Sequence, residues 1–185
     1  NGLAKERYAN YKNQVLNYNF PDQFDGKKPV IDSTKPRPKA AIIREKGSNS
    51  ERELANAMYL AGFDVKDVHM TDLIAGRETL EDIQFIGAVG GFSNSDVLGS
   101  AKGWAGAFMY NEKARVALEK FFARPDTLSV GICNGCQLFI ELGLINKNHT
   151  DKPKMLHNKS GKHESIFTSL TLQENNSVML STLSG

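Results

Sequence analysis

The sequence offers little to a membrane, a metal or a disulfide framework. No run approaches the roughly 18 consecutive apolar residues of a membrane span. Its two cysteines, Cys133 and Cys136, are too few and too close together for the cross-linked scaffold of a small secreted domain. A formal net charge of +2 gives no electrostatic case for nucleic acid or a charged membrane surface. The chain contains no internal repeat and no low-complexity tract, which excludes solenoids and arrays. The start, Asn1-Gly2-Leu3-Ala4, carries neither an apolar leader nor an initiating Met, so the chain is expected to be cut from something longer. What remains is 185 residues, 40% hydrophobic and 24% charged, enough for one sizeable core in a soluble cytoplasmic protein.

Taken in order, Tyr8, Tyr11, Val15, Leu16 and Tyr18 fall on or near one helical face, the pattern of a docking stripe. Residues 21–39 carry Pro21, Gly26, Pro29, Pro36 and Pro38, a linker composition, and a domain boundary is expected near Lys39. That makes 1–39 an N-terminal helical arm and linker, and 40–185 the main domain. Ala40 to Ile43 is a short buried strand. Ser50 and Glu53 form a capping box that opens a helix with Leu54, Ala57, Met58 and Ala61 on its apolar face, and Gly62 ends it. Strands are predicted at Phe63–Val68, Phe85–Val89 and Leu128–Ile132. A polar connection with one helical turn spans Asp72–Leu80, and one long or two short helices span Ala101–Phe122. Strands alternating with helices predict an α/β fold, with a mostly parallel sheet and helices on both faces. Beyond Ile145, Ser165–Leu172 and Val178–Leu183 are expected to be antiparallel strands.

The informative stretch is Gly131-Ile132-Cys133-Asn134-Gly135-Cys136-Gln137. An apolar, β-branched half, read as a buried strand, meets a half with helical spacing that Gly143 terminates. Gly131 and Gly135 allow a sharp turn with Cys133 at its apex, the design of a nucleophile elbow with sulfur replacing oxygen. A cysteine at a helix mouth faces unpaired N–H groups and the positive end of the dipole, which favour thiolate. The glycine loop Gly90-Gly91-Phe92-Ser93, after the preceding strand, brings a second set of N–H groups suited to an oxyanion hole. In a parallel sheet both loops fall at the carboxyl edge, where ligands bind.

Other readings of the cysteines stay open on spacing alone. Cys133-x-x-Cys136 at a helix start is also the arrangement of a redox pair, although the usual Trp and Pro neighbours are missing. With His149 it suggests zinc, but His157 lies outside the finger spacing. Cys133 could also be an inert buried thiol, which is the preferred reading for Cys136. A nucleophile needs a base, and neither His69, His149, His157 nor His163 stands where a carboxylate would orient it.

These residues carry a resemblance. The cysteine stretch, with Gly90-Gly91-Phe92-Ser93 and Asp96-Val97-Leu98-Gly99, resembles the triad (class I) glutamine amidotransferases. Val68-His69-Met70-Thr71-Asp72-Leu73 and Gly103-Trp104-Ala105 are similar to the glutaminase domains of large, single-chain phosphoribosylformylglycinamidine synthases. The resemblance runs from about Lys39 to Gly185. It implies a flavodoxin-like open sheet, a catalytic Cys133 that forms a γ-glutamyl thioester and releases ammonia, and oxyanion donors at Gly91, Phe92 and Asn134. It also implies that Gln137 and Ser93 help to bind glutamine. The partners implied are glutamine and the synthetase domains of a parent chain, where ATP and magnesium would act; no cofactor, nucleic acid or membrane is implied for this part. Asn94-Ser95 departs from the Tyr-Gly usual in the family. The family's His-x-Glu pair follows a later strand and is expected beyond Gly185, so little turnover is expected from this chain alone. The alternatives are a non-catalytic assembly module of the same fold and a cysteine redox or stress protein.

Overall fold

A computed structural model describes residues 2–11, 26–27, 30–145, 147–165 and 170–183. They divide into two compact units, one of Lys28–Leu156 and one of Asn1–Lys27 with His157–Gly185. In the smaller unit, helix α1 spans Gly2–Tyr11, with Tyr8 exposed. Val15, Leu16 and Tyr18 of the expected stripe lie outside the described residues, as do Pro21 and Pro29 of the linker.

In the larger unit, β1 (Lys39–Arg44) is flanked by β3 (Asp64–His69) and β4 (Phe85–Ala88), and β6 (Leu128–Gly131) pairs with β4; every pairing is parallel. In chain order of the parallel strands this is 2-1-3-4, the flavodoxin-like arrangement. β1 and β4 are central, so Ala40, Ala41, Ile42, Ile43, Ile86 and Ala88 are all buried, and both strands read as unbroken apolar runs. β6 is a correction. Expected to be buried, it is the outer strand of the described sheet: Leu128 is exposed and Ser129 to Gly131 are half-buried.

Six α-helices are found among the described residues. α2 (Glu51–Leu60), α3 (Met70–Ala75), α4 (Lys102–Met109), α5 (Glu112–Ala123) and α6 (Asn134–Glu141) surround the sheet. Neighbouring residues of a strand face opposite ways. A side chain on Gly87 would meet Leu54 and Met58 of α2, whereas Ala88 touches Gly135 of α6. The sheet is therefore covered on both faces. Trp104, Phe108 and Phe121 fill the layer in which α4 meets α5 and α6.

Two local expectations, the Ser50 cap and the strand at Val178–Leu183, fail for identifiable reasons. Ser50 precedes α2 with a left-handed backbone (φ 73°), which turns its hydroxyl away from the helix end, so no side-chain cap forms. The capping box lies instead at His69 and Asp72, opening α3. Among the described residues 165–183 no strand forms: Ser181–Leu183 is a short 3₁₀ turn, and residues 166–169 lie outside the described set. An alternating pattern needs a neighbouring strand before it becomes one.

Candidate functional site

β6 leads through Ile132 into Cys133, which occupies the N-cap of α6 with φ 53° and ψ −108°. A non-glycine residue with positive φ costs about 1–2 kcal/mol, and it persists where the surroundings over-determine it. Here the Ile132 N–H donates to the Ala88 carbonyl at 3.0 Å, the Gly135 N–H to Ile132 O at 2.9 Å, and the Gln137 N–H to Cys133 O at 3.1 Å. Gly135 lies so close to β4 that a Cβ there would collide with the Ala88 carbonyl. The helix thus rests main chain against main chain on the strand. Cys133 is exposed and Cys136 half-buried, and both are free thiols.

The glycine loop is tied from the other side by a pairing that sequence periodicity could not reveal. Two-residue strands β2 (Ser48–Asn49) and β5 (Gly90–Gly91) run antiparallel, with Ser48 opposite Gly91. The Phe92 N–H donates to Gly47 O at 2.9 Å, and the Asn94 N–H to Lys46 O at 2.8 Å. Bonded pairs alternate along an antiparallel ladder, so with Phe92 bonded to Gly47 the Gly91 N–H faces away from β2. Gly91 has φ 111°, and a Cβ there would stand 2.7 Å from the Asn49 nitrogen, so only glycine fits. A Cβ on Gly90 would stand 3.3 Å from that of Cys133, which places the loop directly against the nucleophile. The next residues, Asn94, Ser95 and Asp96, all have positive φ, and Asn94 and Ser95 line a cavity of about 380 Å³ with Lys46 and Gly47.

Asn134 joins the two loops. It is 1% exposed; its Oδ1 accepts from the Ser93 N–H at 3.0 Å, and its Nδ2 donates to Gln137 Oε1 at 2.8 Å. As the first residue of α6 it also leaves its own N–H without an intrahelical partner. Ser93 is buried with its Oγ unpartnered, and so is the Trp104 Nε1. The structure thus brings Cys133, Gly91, Phe92, Ser93, Asn134 and Gln137 together. Of the three expected oxyanion donors, Gly91, Phe92 and Asn134, Phe92 has its N–H taken, by Gly47.

No described histidine of this unit adjoins Cys133. His69 caps α3 through Nδ1, which accepts from the Thr71 N–H at 3.2 Å, and its Nε2 lies 3.9 Å from Glu45 Oε1. It is the last residue of β3, three strand spacings from β6, or roughly 14 Å. Asp72 completes that cap by accepting from the His69 N–H at 3.2 Å. The Arg77 guanidinium, and then this backbone bond, hold the Asp72 carboxyl below its usual range. His149 bonds with Asp151, and His157 and His163 belong to the other unit. Among the described residues no group of three or more His, Cys, Asp or Glu could hold a metal ion, and no helix is long and apolar enough to cross a membrane.

Comparison with known proteins shows the family. Residues 37–185 match the CobB/CobQ-like glutamine amidotransferase domain. The probable phosphoribosylformylglycinamidine synthase, chloroplastic/mitochondrial, of Arabidopsis thaliana is 46% identical over 155 residues, covering 80% of this chain and 11% of that protein. The probable phosphoribosylformylglycinamidine synthase of Caenorhabditis elegans is 49% identical over 146 residues, covering 78% and 11%. The Homo sapiens phosphoribosylformylglycinamidine synthase is 40% identical over 197 residues, covering 99% and 15%. The chain thus spans between 11% and 15% of these relatives' length. The solved structure of PurLQS from Thermotoga maritima superposes with a TM-score of 0.54 at 31% identity, over 69% of this chain and 51% of that one.

Proposed function

Since the chain belongs to the CobB/CobQ-like glutamine amidotransferase domain family, we propose that it is the ammonia-releasing part of a phosphoribosylformylglycinamidine synthase. Cys133 Sγ attacks the carboxamide carbon of glutamine. The C–N bond breaks, ammonia leaves with the thiol's proton, and a γ-glutamyl thioester remains. Water then cleaves the thioester to glutamate and restores the thiol. The N–H groups of Gly91 and Asn134 stabilise the oxyanion of both tetrahedral intermediates. Phe92 holds Gly91 in place instead, because its own N–H is bonded to Gly47. Gln137 and Ser93 contact the substrate. Ammonia passes to synthetase domains that use ATP and magnesium to amidate formylglycinamide ribonucleotide in purine biosynthesis. Two free thiols suit the reducing conditions of cytoplasm.

The observation that carries this reading is an exposed cysteine, held in a strained backbone at a strand–helix elbow and pressed against a glycine loop. Mass spectrometry after incubation with an electrophilic glutamine analogue tests it. One adduct, on Cys133 and suppressed by glutamine, is expected; labelling spread over both cysteines, or unaffected by glutamine, would sink it.

We propose that the described histidines of the larger unit do not serve as the general base, because His69 is engaged in capping α3 and His149 is bonded with Asp151. The 185 residues alone should therefore turn over glutamine at least about a thousandfold more slowly than an intact triad enzyme. Brisk ammonia release from the purified chain, abolished by Cys133→Ala, would contradict this.

A further inference from the structure

Gln137 carries a carboxamide, which can present either a donor or an acceptor. Its surroundings remove the choice. A peptide N–H can only donate, so the Ser93 N–H at 3.0 Å fixes the facing atom of Asn134 as Oδ1. The other end of Asn134 is then the NH₂ group, and it donates to Gln137 at 2.8 Å, fixing that atom as Oε1. What Gln137 has left is its own NH₂ group, which has no partner among the described residues. Gln137 lies four residues after Cys133, so it sits one turn along the same face of α6 as the nucleophile. Asn134 is 1% exposed and held at both ends, so neither amide is free to turn over.

We infer that the Asn134 side chain is a positioning residue that sets the polarity of Gln137, so that the site offers N–H donors there and selects a ligand presenting an acceptor. Resting on the glutaminase reading, this ligand atom is an oxygen of glutamine, carboxylate or carboxamide, and not its ammonium or amide nitrogen. The role belongs to the Asn134 side chain and is separate from the backbone N–H assigned to the oxyanion. It also couples the two loops: a shift of Ser93 is passed to Gln137 through one buried amide.

The test uses a chloroketone analogue of glutamine. Cys133 Sγ displaces chloride from it, forming a C–S bond, and the thiol proton leaves with the chloride. The rate of labelling is followed against analogue concentration at pH 8, with iodoacetamide as a probe indifferent to the subsite. Asn134→Asp is isosteric and keeps the bond from Ser93, but a carboxylate cannot donate. Gln137 then turns its NH₂ group toward Asp and shows its oxygen to the ligand. Asn134→Ala leaves Gln137 free to turn either way. The half-saturating concentration should rise at least about tenfold in Asn134→Asp and only about threefold in Asn134→Ala, with each variant's own iodoacetamide rate as the reference that removes any change in general thiol reactivity. If the side chain merely filled space, the order would reverse, because alanine leaves a cavity and an unpaired Ser93 N–H. That reversed order, or an unchanged Asn134→Asp, overturns the inference. Gln137→Glu leaves Asn134 and Ser93 untouched and reads the same donor should Asn134→Asp not fold; it too should cost about tenfold, and an unchanged value again overturns the inference. If wild-type labelling does not saturate, the glutaminase reading fails and this inference with it, whereas saturation with unaltered variants defeats the inference alone.

Discussion

At Gly135 the elbow leaves no room for even one methyl group. Alanine there would drive its Cβ into the Ala88 carbonyl, a backbone atom that cannot swing aside. Gly135→Ala should therefore cost about 3 kcal/mol or more, read as a lowered thermal midpoint, together with lost labelling of Cys133 by a glutamine analogue. A melting temperature like that of wild type would refute the close packing. The residues that make this elbow were legible in the sequence because the motif is local: Cys133, Gly135 and Gln137 fall within five consecutive positions. The glycine loop was legible as well, since paired glycines after a strand signal close approach. The Asn134 side chain was not. Its partner Ser93 lies 41 residues away, and only the parallel neighbours β4 and β6 bring the two together.

Among the elements, the helix caps separate what pattern can show from what it cannot. Ser50 and Glu53 satisfy the capping-box spacing, yet the left-handed turn at Ser50 withholds the hydroxyl. Asn111 carried no such flag and does cap α5, with its side chain accepting from the Ala114 N–H at 3.0 Å. Ser50→Ala should consequently change stability by less than about 0.5 kcal/mol, and Asn111→Ala should lower it by about 1 kcal/mol, in matched denaturant titrations. Equal costs would contradict the backbone assignment. His69 escaped prediction because histidine is not among the usual caps. Its partner Asp72 gives the cap a pH dependence. Arg77 and the His69 N–H stabilise the charged carboxylate, so its folded pKa lies below the unfolded value of about 3.9. The advantage of wild type over Asp72→Asn should be complete well above that value and shrink as pH falls through the folded pKa. Thermal melts from pH 7 down to about pH 3 would reveal it; a gap that widens on acidification would refute it.

For the molecule as a whole, every buried apolar residue of the described core lies between Ala40 and Phe139. Residues 28–156 alone should unfold in one cooperative transition, by circular dichroism, and keep selective labelling at Cys133. A broad, non-cooperative melt would show that the core needs more chain. The parallel order was legible from alternating apolar runs and helices, but the exposed character of β6 was not, since a strand's own residues do not state which neighbours it lacks. The Cys133 Cβ and the main chain of its facing loop are spaced by peptide carbonyls and glycines rather than by long side chains. Warming that sets side chains hopping between rotamers leaves such a gap unchanged. Capacity to react and capacity to stay folded should therefore disappear at one temperature, with no interval of intact but misaligned protein between them.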